Sequence, residues 1–214
     1  MFFILKEISK GKSLARALFN AELSAYTIKG RTLDVGGGKH QDYLEFLNMN
    51  ETASVETVDI ASKEKGAPSV DFEKDPLPFP DGVMDSVLVF NVLEHIYNYH
   101  FLVCEMRRVL KNGGQLVGFV PFLVNYHPDP HDYFRYTKEA LQKILEDAGF
   151  RSIRVKEVGR GPFAVNYNNL ALSLPLTVRM VLLPFWYVAD TIFLALRPKV
   201  HERYPLGYMF VCQK

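Results

Sequence analysis

The chain has 214 residues, of which 48% are hydrophobic and 23% are charged, and this composition favours one folded domain and argues against wholesale disorder. Lysine plus arginine (25) almost equals aspartate plus glutamate (24), and the formal net charge of +1 argues against a dedicated nucleic-acid binder, which usually carries a basic excess. Cys104 and Cys212 cannot form a disulfide framework, and the apolar start at residues 1–5 is too short for a secretory signal. We therefore expect a reducing, cytoplasmic setting.

Short apolar runs alternate along the chain with stretches that have helical spacing. The predicted helices cover residues 13–28, 43–47, 102–110 and 137–148, and the predicted strands cover residues 31–36, 55–60, 69–72, 85–90, 115–121, 152–158 and 207–213. Strands that alternate with helices predict an α/β fold with a mostly parallel seven-stranded sheet and helices on both faces. We expect one domain over residues 1–214, with an N-terminal helical cap at residues 1–29.

Residues 160–205 break this rhythm and are rich in leucine, valine and phenylalanine. Because they lie between the last two predicted strands, we interpret them as a helical insertion. Proline inside a helix removes a hydrogen bond and clashes with the preceding turn. We therefore expect Pro175 and Pro184 to divide the insertion into short helices, each too short to span a bilayer.

The apolar insertion has three interpretations. Trp186 and Tyr187 lie in its middle, and a basic cluster follows. The members of that cluster are Arg197, Lys199, His201 and Arg203. Apolar helices with this flank suit peripheral contact with anionic lipid at the inner face of a membrane, but they also suit a lid or a homodimer interface through residues 163–196. We favour the lid or the interface over stable membrane attachment.

The first predicted strand of the sheet leads into the triplet Gly36-Gly37-Gly38. Glycines let the backbone turn sharply and approach a ligand without a Cβ atom in the way. A dinucleotide-binding fingerprint would need a further glycine at the position of Gln41, so a hydride-transfer function is not supported. Asp34 precedes the first glycine by two residues, where its carboxylate could face an ammonium group over the turn.

Two more carboxylates follow predicted strands. Ligands of open α/β sheets bind beyond the carboxyl ends of the strands, so the position of these side chains indicates a binding site. Asp59 could accept hydrogen bonds from both hydroxyls of a ribose, and Asp71 could accept one from an adenine amino group while Phe72 covers the base. Both acids could instead be ordinary turn residues.

Five segments, in this order and spacing, resemble the motifs of class I S-adenosylmethionine-dependent methyltransferases of the small-molecule type. The segments are residues 33–38, 58–60, 77–85, 91–96 and 108–114. The resemblance covers roughly residues 30 to 158 and implies a Rossmann-like fold with S-adenosyl-L-methionine as cofactor. The cofactor-binding residues that it implies are Asp34, Gly36, Gly37, Gly38, Asp59, Ile60, Asp71, Phe72 and Asn91. The chain departs from the family pattern at His40 and Asn112, where glycine and proline are common.

Methyl transfer to oxygen usually needs a base, and histidine is the commonest base near neutral pH. The stretch at residues 125–136 is rich in polar and aromatic side chains and flanks the substrate side of such a fold. There His131 could supply the base, with Asp132 as its charge partner. His95 is the rival candidate, although with Glu94 it could simply hold its loop in place.

The leading hypothesis is a methyltransferase that acts on a hydroxyl-bearing small molecule, such as a sugar or a lipid-linked glycan. One alternative is a metal-dependent RNA 2′-O-methyltransferase, but Asn91 stands where that motif has a carboxylate, so we expect neither a metal site nor a nucleic-acid partner. The other is a non-catalytic adenosylmethionine-binding partner protein that docks through residues 160–205. The polar loop at residues 125–136 argues against this last alternative.

Overall fold

The computed structural model describes residues 1–38, 41–60 and 69–214, so the expectation about His40 lies outside the described residues. The strands are β1 (Thr27–Ile28), β2 (Arg31–Val35), β3 (Asn48–Met49), β4 (Ser54–Val58), β5 (Met84–Phe90), β6 (Leu110–Pro121), β7 (Arg151–Gly159) and β8 (Pro205–Gln213). The helices are α1 (Phe2–Ser9), α2 (Leu14–Leu23), α3 (Tyr99–Val109), α4 (Lys138–Asp147), α5 (Pro162–Ala171) and α6 (Leu176–Leu196). Short 3₁₀ turns cover Asp42–Phe46, Leu93–His95 and Pro198–Arg203.

The predicted α/β fold is confirmed, but over the described ranges the main sheet has six strands, in the order β4-β2-β5-β6-β8-β7, rather than seven. The four strands from β4 to β6 are parallel, and β8 runs antiparallel between β6 and β7. The expected strand at residues 69–72 contributes only an isolated bridge between Ser69 and Asp59. Because the parallel strands end at one edge, the polar residues that follow them gather there.

The central strand β5 shows why the sheet is covered on both faces. Successive side chains of a strand point to opposite faces. Val87 and Val89 enter the core beneath α3 and α4, whereas Leu88 and Phe90 enter a second core that contains Phe19 of α2. A strand that is buried on both faces reads as a continuous apolar run, as β5 does.

The N-terminal helices α1 and α2 pack against the helical insertion. Ile8 of α1 and Ala17 of α2 share an apolar cluster with Tyr167 of α5. The Asn168 side chain of α5 accepts a hydrogen bond from the backbone N–H of Ala15 at 2.9 Å. Helices α2 and α5 therefore lie together beside the carboxyl edge of the sheet.

The insertion departs from the expectation of short helices, because α6 is one continuous helix of 21 residues that contains Pro184 in its interior. Proline removes a single backbone N–H, and its fixed φ is compatible with a helix. Packing of α6 against α5 and α1 offsets the lost hydrogen bond. By length and composition alone this helix, with mean hydropathy 1.5, could cross a membrane, which corrects the expectation that Pro175 and Pro184 leave each piece too short.

One buried acid connects the two helices of the insertion. Helix α5 begins at Pro162, and the preceding residue, Gly161, has no side chain to cap the free N–H groups of the first turn. Asp190 of α6 is fully buried and accepts hydrogen bonds from the backbone N–H groups of Phe163 at 3.0 Å and Ala164 at 2.8 Å. A carboxylate at a helix N-terminus is also favoured by the helix dipole.

We predict that Asp190→Ala lowers the free energy of unfolding by about 2–4 kcal/mol, because two charge-assisted hydrogen bonds to buried N–H groups are lost. Urea denaturation measures this change. The matched control is Asp147→Ala, whose exposed side chain pairs only with Lys143 on α4, and which should change stability by no more than about 0.5 kcal/mol. Equal losses for the two variants would contradict the capping role of Asp190.

Candidate functional site

The glycine triplet after β2, residues 36–38, forms a tight loop, here called the glycine cradle, in which a larger side chain at Gly36 or Gly37 would overlap neighbouring atoms. Gly36 and Gly38 have φ values of +74° and +54°, in the left-handed region that favours glycine. A Cβ atom on Gly36 would lie 2.5 Å from a methyl carbon of Val92, and one on Gly37 would overlap the carboxylate of Asp34. Close packing against Val92 and Asp34 therefore requires glycine at these two positions, and the contact of this loop with a ligand stays a prediction.

Asp34 is buried at the end of β2, directly beneath this loop. The Tyr43 hydroxyl donates a hydrogen bond to Asp34 Oδ2 at 2.5 Å, while Oδ1 has no partner among the described residues. Burial raises the pKa of Asp34 to about 6; the Tyr43 hydrogen bond opposes this rise and the charge of Asp59 adds to it. Asp34 therefore has no positively charged partner among the residues that the structure describes, and an ammonium group would supply one.

Arg16 of α2 is a site residue that the sequence analysis missed. Its guanidinium carbon lies 5.3 Å from the ring centres of Phe19 and Tyr43, and its Nε atom has no hydrogen-bond partner in the described ranges. Desolvation lowers the pKa of Arg16. A charge on an amphipathic helix is usually solvated, so only the packing of α2 over the sheet edge distinguishes Arg16 from other surface arginines.

The remaining predicted cofactor residues differ in their surroundings. Asp59 follows β4 and accepts a hydrogen bond from the backbone N–H of Ile60 at 2.7 Å. Asp71 pairs with Lys74 at 2.8 Å, and this hydrogen bond lowers the pKa of Asp71. The Phe72 side chain is only 1% exposed and packs in the main core, so in this structure it supports the site from beneath instead of offering its ring to a base.

A cavity of about 580 Å³ lies beyond the ends of β5 and β6. Its lining residues include Ser13, Arg16, Phe19, Asn91, His95, Phe119, Pro121, Val124, Asn125, Tyr126, His127, Asn168 and Leu172. Asn91 directly follows β5 with φ +53°, a conformation that costs energy for a residue with a side chain and that is common at functional sites. Helices α2 and α5 and the loop after β6 thus enclose a space next to the glycine cradle.

Three ligand-type side chains meet at one wall of this cavity, although the sequence analysis expected no metal site. Glu94 is fully buried, and neither of its carboxylate oxygens has a hydrogen-bond partner within the described residues. The Nε2 atoms of His95 and His127 each lie 3.7 Å from Glu94 Oε1. The pKa of His127 is raised, chiefly by Glu94. The group could hold a metal ion or a proton.

The prediction of His131 as the base is not supported by its position. His131 is exposed, its ring packs on Tyr133, and it does not line the cavity. Its backbone carbonyl faces His95 Nδ1 at 2.5 Å. The histidine of this loop that faces the cavity is His127. Two prolines separate these histidines, and the sequence carries no signal of which one the turn directs inward.

Asp132 stabilises the loop at residues 125–136 and is not the charge partner of a base at His131. Its side chain is almost fully buried, pairs with Arg135 at 2.7 Å and accepts a hydrogen bond from the backbone N–H of His127 at 2.9 Å. The hydrogen bond from Arg135 lowers the pKa of Asp132 to about 2. Asp132 therefore stays charged and holds the His127 backbone in place, and Arg135 is paired with it instead of being free for a substrate anion.

Comparisons with known proteins identify a methyltransferase domain in the chain. Residues 33–118 match the family model of a methyltransferase domain. A probable S-adenosylmethionine-dependent methyltransferase of Mycobacterium tuberculosis is 30% identical over 92 residues, which are 40% of this chain and 34% of that protein. A demethylmenaquinone methyltransferase of Tropheryma whipplei is 29% identical over 119 residues, which are 42% of this chain and 50% of that protein. The chain thus spans a third to a half of these relatives.

A solved structure matches over the whole chain. The S-adenosylmethionine-dependent methyltransferase from Archaeoglobus fulgidus superposes with a TM-score of 0.63 at 20% identity, and the match covers 100% of this chain and 99% of that one. At this identity the likeness shows the fold. Residues 33–118 thus match a methyltransferase domain, and the chain has the fold of class I S-adenosylmethionine-dependent methyltransferases.

Proposed function

We propose that this methyltransferase acts on a hydroxyl group of a small molecule that binds in the cavity beyond β5 and β6. The observation that carries the proposal is the position of His95 and His127 on the cavity wall, backed by the buried Glu94. Hydroxyl acceptors need help to lose a proton, whereas an amine with a free lone pair does not. A site with titratable groups at this wall therefore suits an oxygen acceptor.

The residues at the sheet edge fit the cofactor S-adenosyl-L-methionine. The unpartnered Asp34 Oδ1 could accept a hydrogen bond from its ammonium group, and the Arg16 guanidinium could meet its carboxylate. Asp59 at the end of β4 could hold the ribose hydroxyls, since a carboxylate accepts several hydrogen bonds. The glycines bring the loop backbone close to Asp34 and Val92, so the cofactor would meet backbone groups of this loop next to the Asp34 carboxylate.

When bound, the cofactor supplies the methyl group: the acceptor oxygen bonds to the methyl carbon, the electron pair of the carbon–sulfur bond stays on sulfur, and the hydroxyl proton must leave. The protein orients the acceptor, which contributes strongly to such a reaction. Helices α2 and α5 enclose the cavity, and the hydrogen bond between Asn168 and the Ala15 backbone holds them together. The group formed by Glu94, His95 and His127 faces the hydroxyl proton.

For the acceptor we favour a sugar or a lipid-linked glycan. Tyr126, whose side chain is 73% exposed, stands at the cavity and offers an aromatic face to a sugar ring. Leu172 at the rim is half exposed and could contact an apolar chain. The balanced net charge of +1 gives no support to an RNA acceptor.

We predict that the affinity for S-adenosylhomocysteine falls about tenfold from pH 7 to pH 5. Asp34, with its pKa at about 6, is charged above that pH and becomes neutral below it, and only the charged form attracts the ligand ammonium. Calorimetry across this range measures the change. Methylthioadenosine is the matched control because it lacks the amino-acid end. The same pH profile for both ligands would refute the role of Asp34.

We predict that His127→Ala lowers the rate of methyl transfer by about 10²–10⁴-fold, the usual range for a group that assists proton removal. A panel of sugars and lipid-linked sugars with a labelled methyl donor provides the assay. His131→Ala, in the same loop but with its ring outside the cavity, should keep most of the rate. The roles would be reversed if His131→Ala lost the activity and His127→Ala kept it. Transfer to amines alone would refute the hydroxyl acceptor.

A further inference from the structure

Among the described residues, the Glu94 carboxylate is buried without the hydrogen bonds that a buried charge normally makes. It is fully buried, and its two oxygens make no hydrogen bond with any residue that the structure describes. A buried carboxylate that makes no hydrogen bonds is strongly unfavourable unless a positive charge lies beside it. The histidine Nε2 atoms, at 3.7 Å from Oε1, are too far away for hydrogen bonds. The position therefore calls for a cation close to Glu94.

The two histidines are oriented as metal ligands usually are. His95 Nδ1 faces the carbonyl oxygen of His131 at 2.5 Å, and His127 Nδ1 faces that of Asn125 at 2.9 Å. A carbonyl oxygen only accepts, so His95 Nδ1 carries the hydrogen. At His127 the carbonyl contact at 2.9 Å is shorter than the 3.3 Å contact from Arg135 Nη2 and favours the same tautomer, in which Nε2 of the neutral ring holds a lone pair. Histidines that bind metals typically donate their other N–H in this way. Both lone pairs thus lie beside the same carboxylate oxygen.

We propose that Glu94, His95 and His127 bind a divalent transition-metal ion, with zinc as the best match. Their ligand atoms lie within 4.8 Å of one another. A tetrahedral zinc ion with bonds of about 2.0–2.1 Å places two ligand atoms about 3.4 Å apart, close to the 3.7 Å between each Nε2 and Oε1. A single proton cannot bridge Glu94 to both histidines, whereas one metal ion can.

Three protein ligands leave a coordination position open, as in catalytic zinc sites. His95 and His127 line the cavity, so the open position faces the acceptor. This step rests on the proposed function: the acceptor hydroxyl coordinates the ion, its O–H bond breaks, the electron pair stays on oxygen and the proton leaves to solvent. The ion lowers the pKa of a coordinated hydroxyl as it does that of bound water. Binding of the ion does not itself require methyl transfer.

The test measures metal binding directly. The full chain is stripped with a chelator and titrated with Zn²⁺ by calorimetry, and with Co²⁺ by visible absorption. We expect one equivalent per chain and the absorption of a low-coordinate Co²⁺ site. Glu94→Gln and His127→Ala should each weaken binding at least 100-fold, whereas His131→Ala, which keeps its backbone carbonyl, should bind like the parent. S-adenosylhomocysteine binding by every variant checks that it is folded.

Less than one equivalent in the folded parent would overturn the metal site, and so would unchanged binding by His127→Ala or lost binding by His131→Ala. The proposed function can fail separately. If the metal binds as expected and no hydroxyl acceptor is methylated, the metal site stands and the acceptor class is wrong. If hydroxyl transfer proceeds equally fast in the stripped protein, the metal does not activate the acceptor.

A second feature, independent of this site, is the exposed face of α6. From Val178 onward its large exposed apolar side chains recur every three or four residues, so they share one face of the helix. They are Val178, Val181, Phe185, Val188, Ile192 and Leu196, with exposed fractions from 39% to 77%. Asp190 lies on the opposite, buried face, where it caps α5. The stripe therefore faces away from the core.

We infer that this face of α6 lies in the surface of an anionic membrane. The exposed Arg197, Lys199 and Arg203 directly follow the helix and could meet acidic lipid headgroups. Although α6 is long enough to span a bilayer, crossing would carry Asp190 into hydrocarbon and strip it from the α5 N-terminus. An in-plane position keeps that contact and buries the stripe. It also brings the rim of the cavity, at Leu172, close to lipid.

Flotation with vesicles of phosphatidylcholine, with and without phosphatidylglycerol, tests this inference. We expect binding to the anionic vesicles that weakens with salt, and loss of binding in the double variant Val181→Asp/Phe185→Asp. Met49→Asp, at an exposed apolar residue of β3, is the matched control and should still bind. Absence of binding to anionic vesicles would overturn the inference. It would also be overturned if the protein were a dimer in solution and the double variant Val181→Asp/Phe185→Asp were a monomer, because this face of α6 would then be a dimer interface.

Discussion

The site depends on two buried carboxylates at the carboxyl edge of the sheet, Asp34 and Glu94, each of which has at least one oxygen without a hydrogen-bond partner in the described ranges. Asp34 lies at the end of β2, and one of its carboxylate oxygens has no hydrogen-bond partner among the described residues. Glu94 lies in the 3₁₀ turn after β5, and both of its carboxylate oxygens lack such a partner. Burial of an unpaired charge opposes folding. Such positions persist where a ligand supplies the missing charge, and we propose two different cations here: an ammonium group at Asp34 and a metal ion at Glu94.

The fold explains why the two carboxylates lie at the same edge of the sheet. Strands β2 and β5 are parallel neighbours, so the segments that follow them leave the sheet at the same edge. The contact between Gly36 and Val92 joins these two segments. Helices α2 and α5 then cover the edge and create the low-dielectric space in which fixed charges act strongly. Burial beneath these two helices makes the charged carboxylates unfavourable for folding, and the same burial strengthens their attraction for a bound cation.

Much of the fold and the cofactor loop could be predicted from the sequence, because local signals specify them. The continuous apolar run of β5 and the glycines after β2 are examples. The acceptor side could not be predicted in the same way. Whether His127 or His131 faces inward depends on the turn of a proline-rich loop that Asp132 and Arg135 hold from behind. Likewise, Pro184 lies inside a continuous helix because contacts with distant elements outweigh a local preference.

A crystal structure with bound S-adenosylhomocysteine, with anomalous diffraction recorded at the zinc edge, tests most directly whether external cations neutralise the two carboxylates. The account predicts that the ligand ammonium contacts Asp34 and that an anomalous peak lies between Glu94, His95 and His127. The account would be contradicted if the ammonium bound elsewhere while the Nε2 atoms of His95 and His127 made direct hydrogen bonds to Glu94 without an ion.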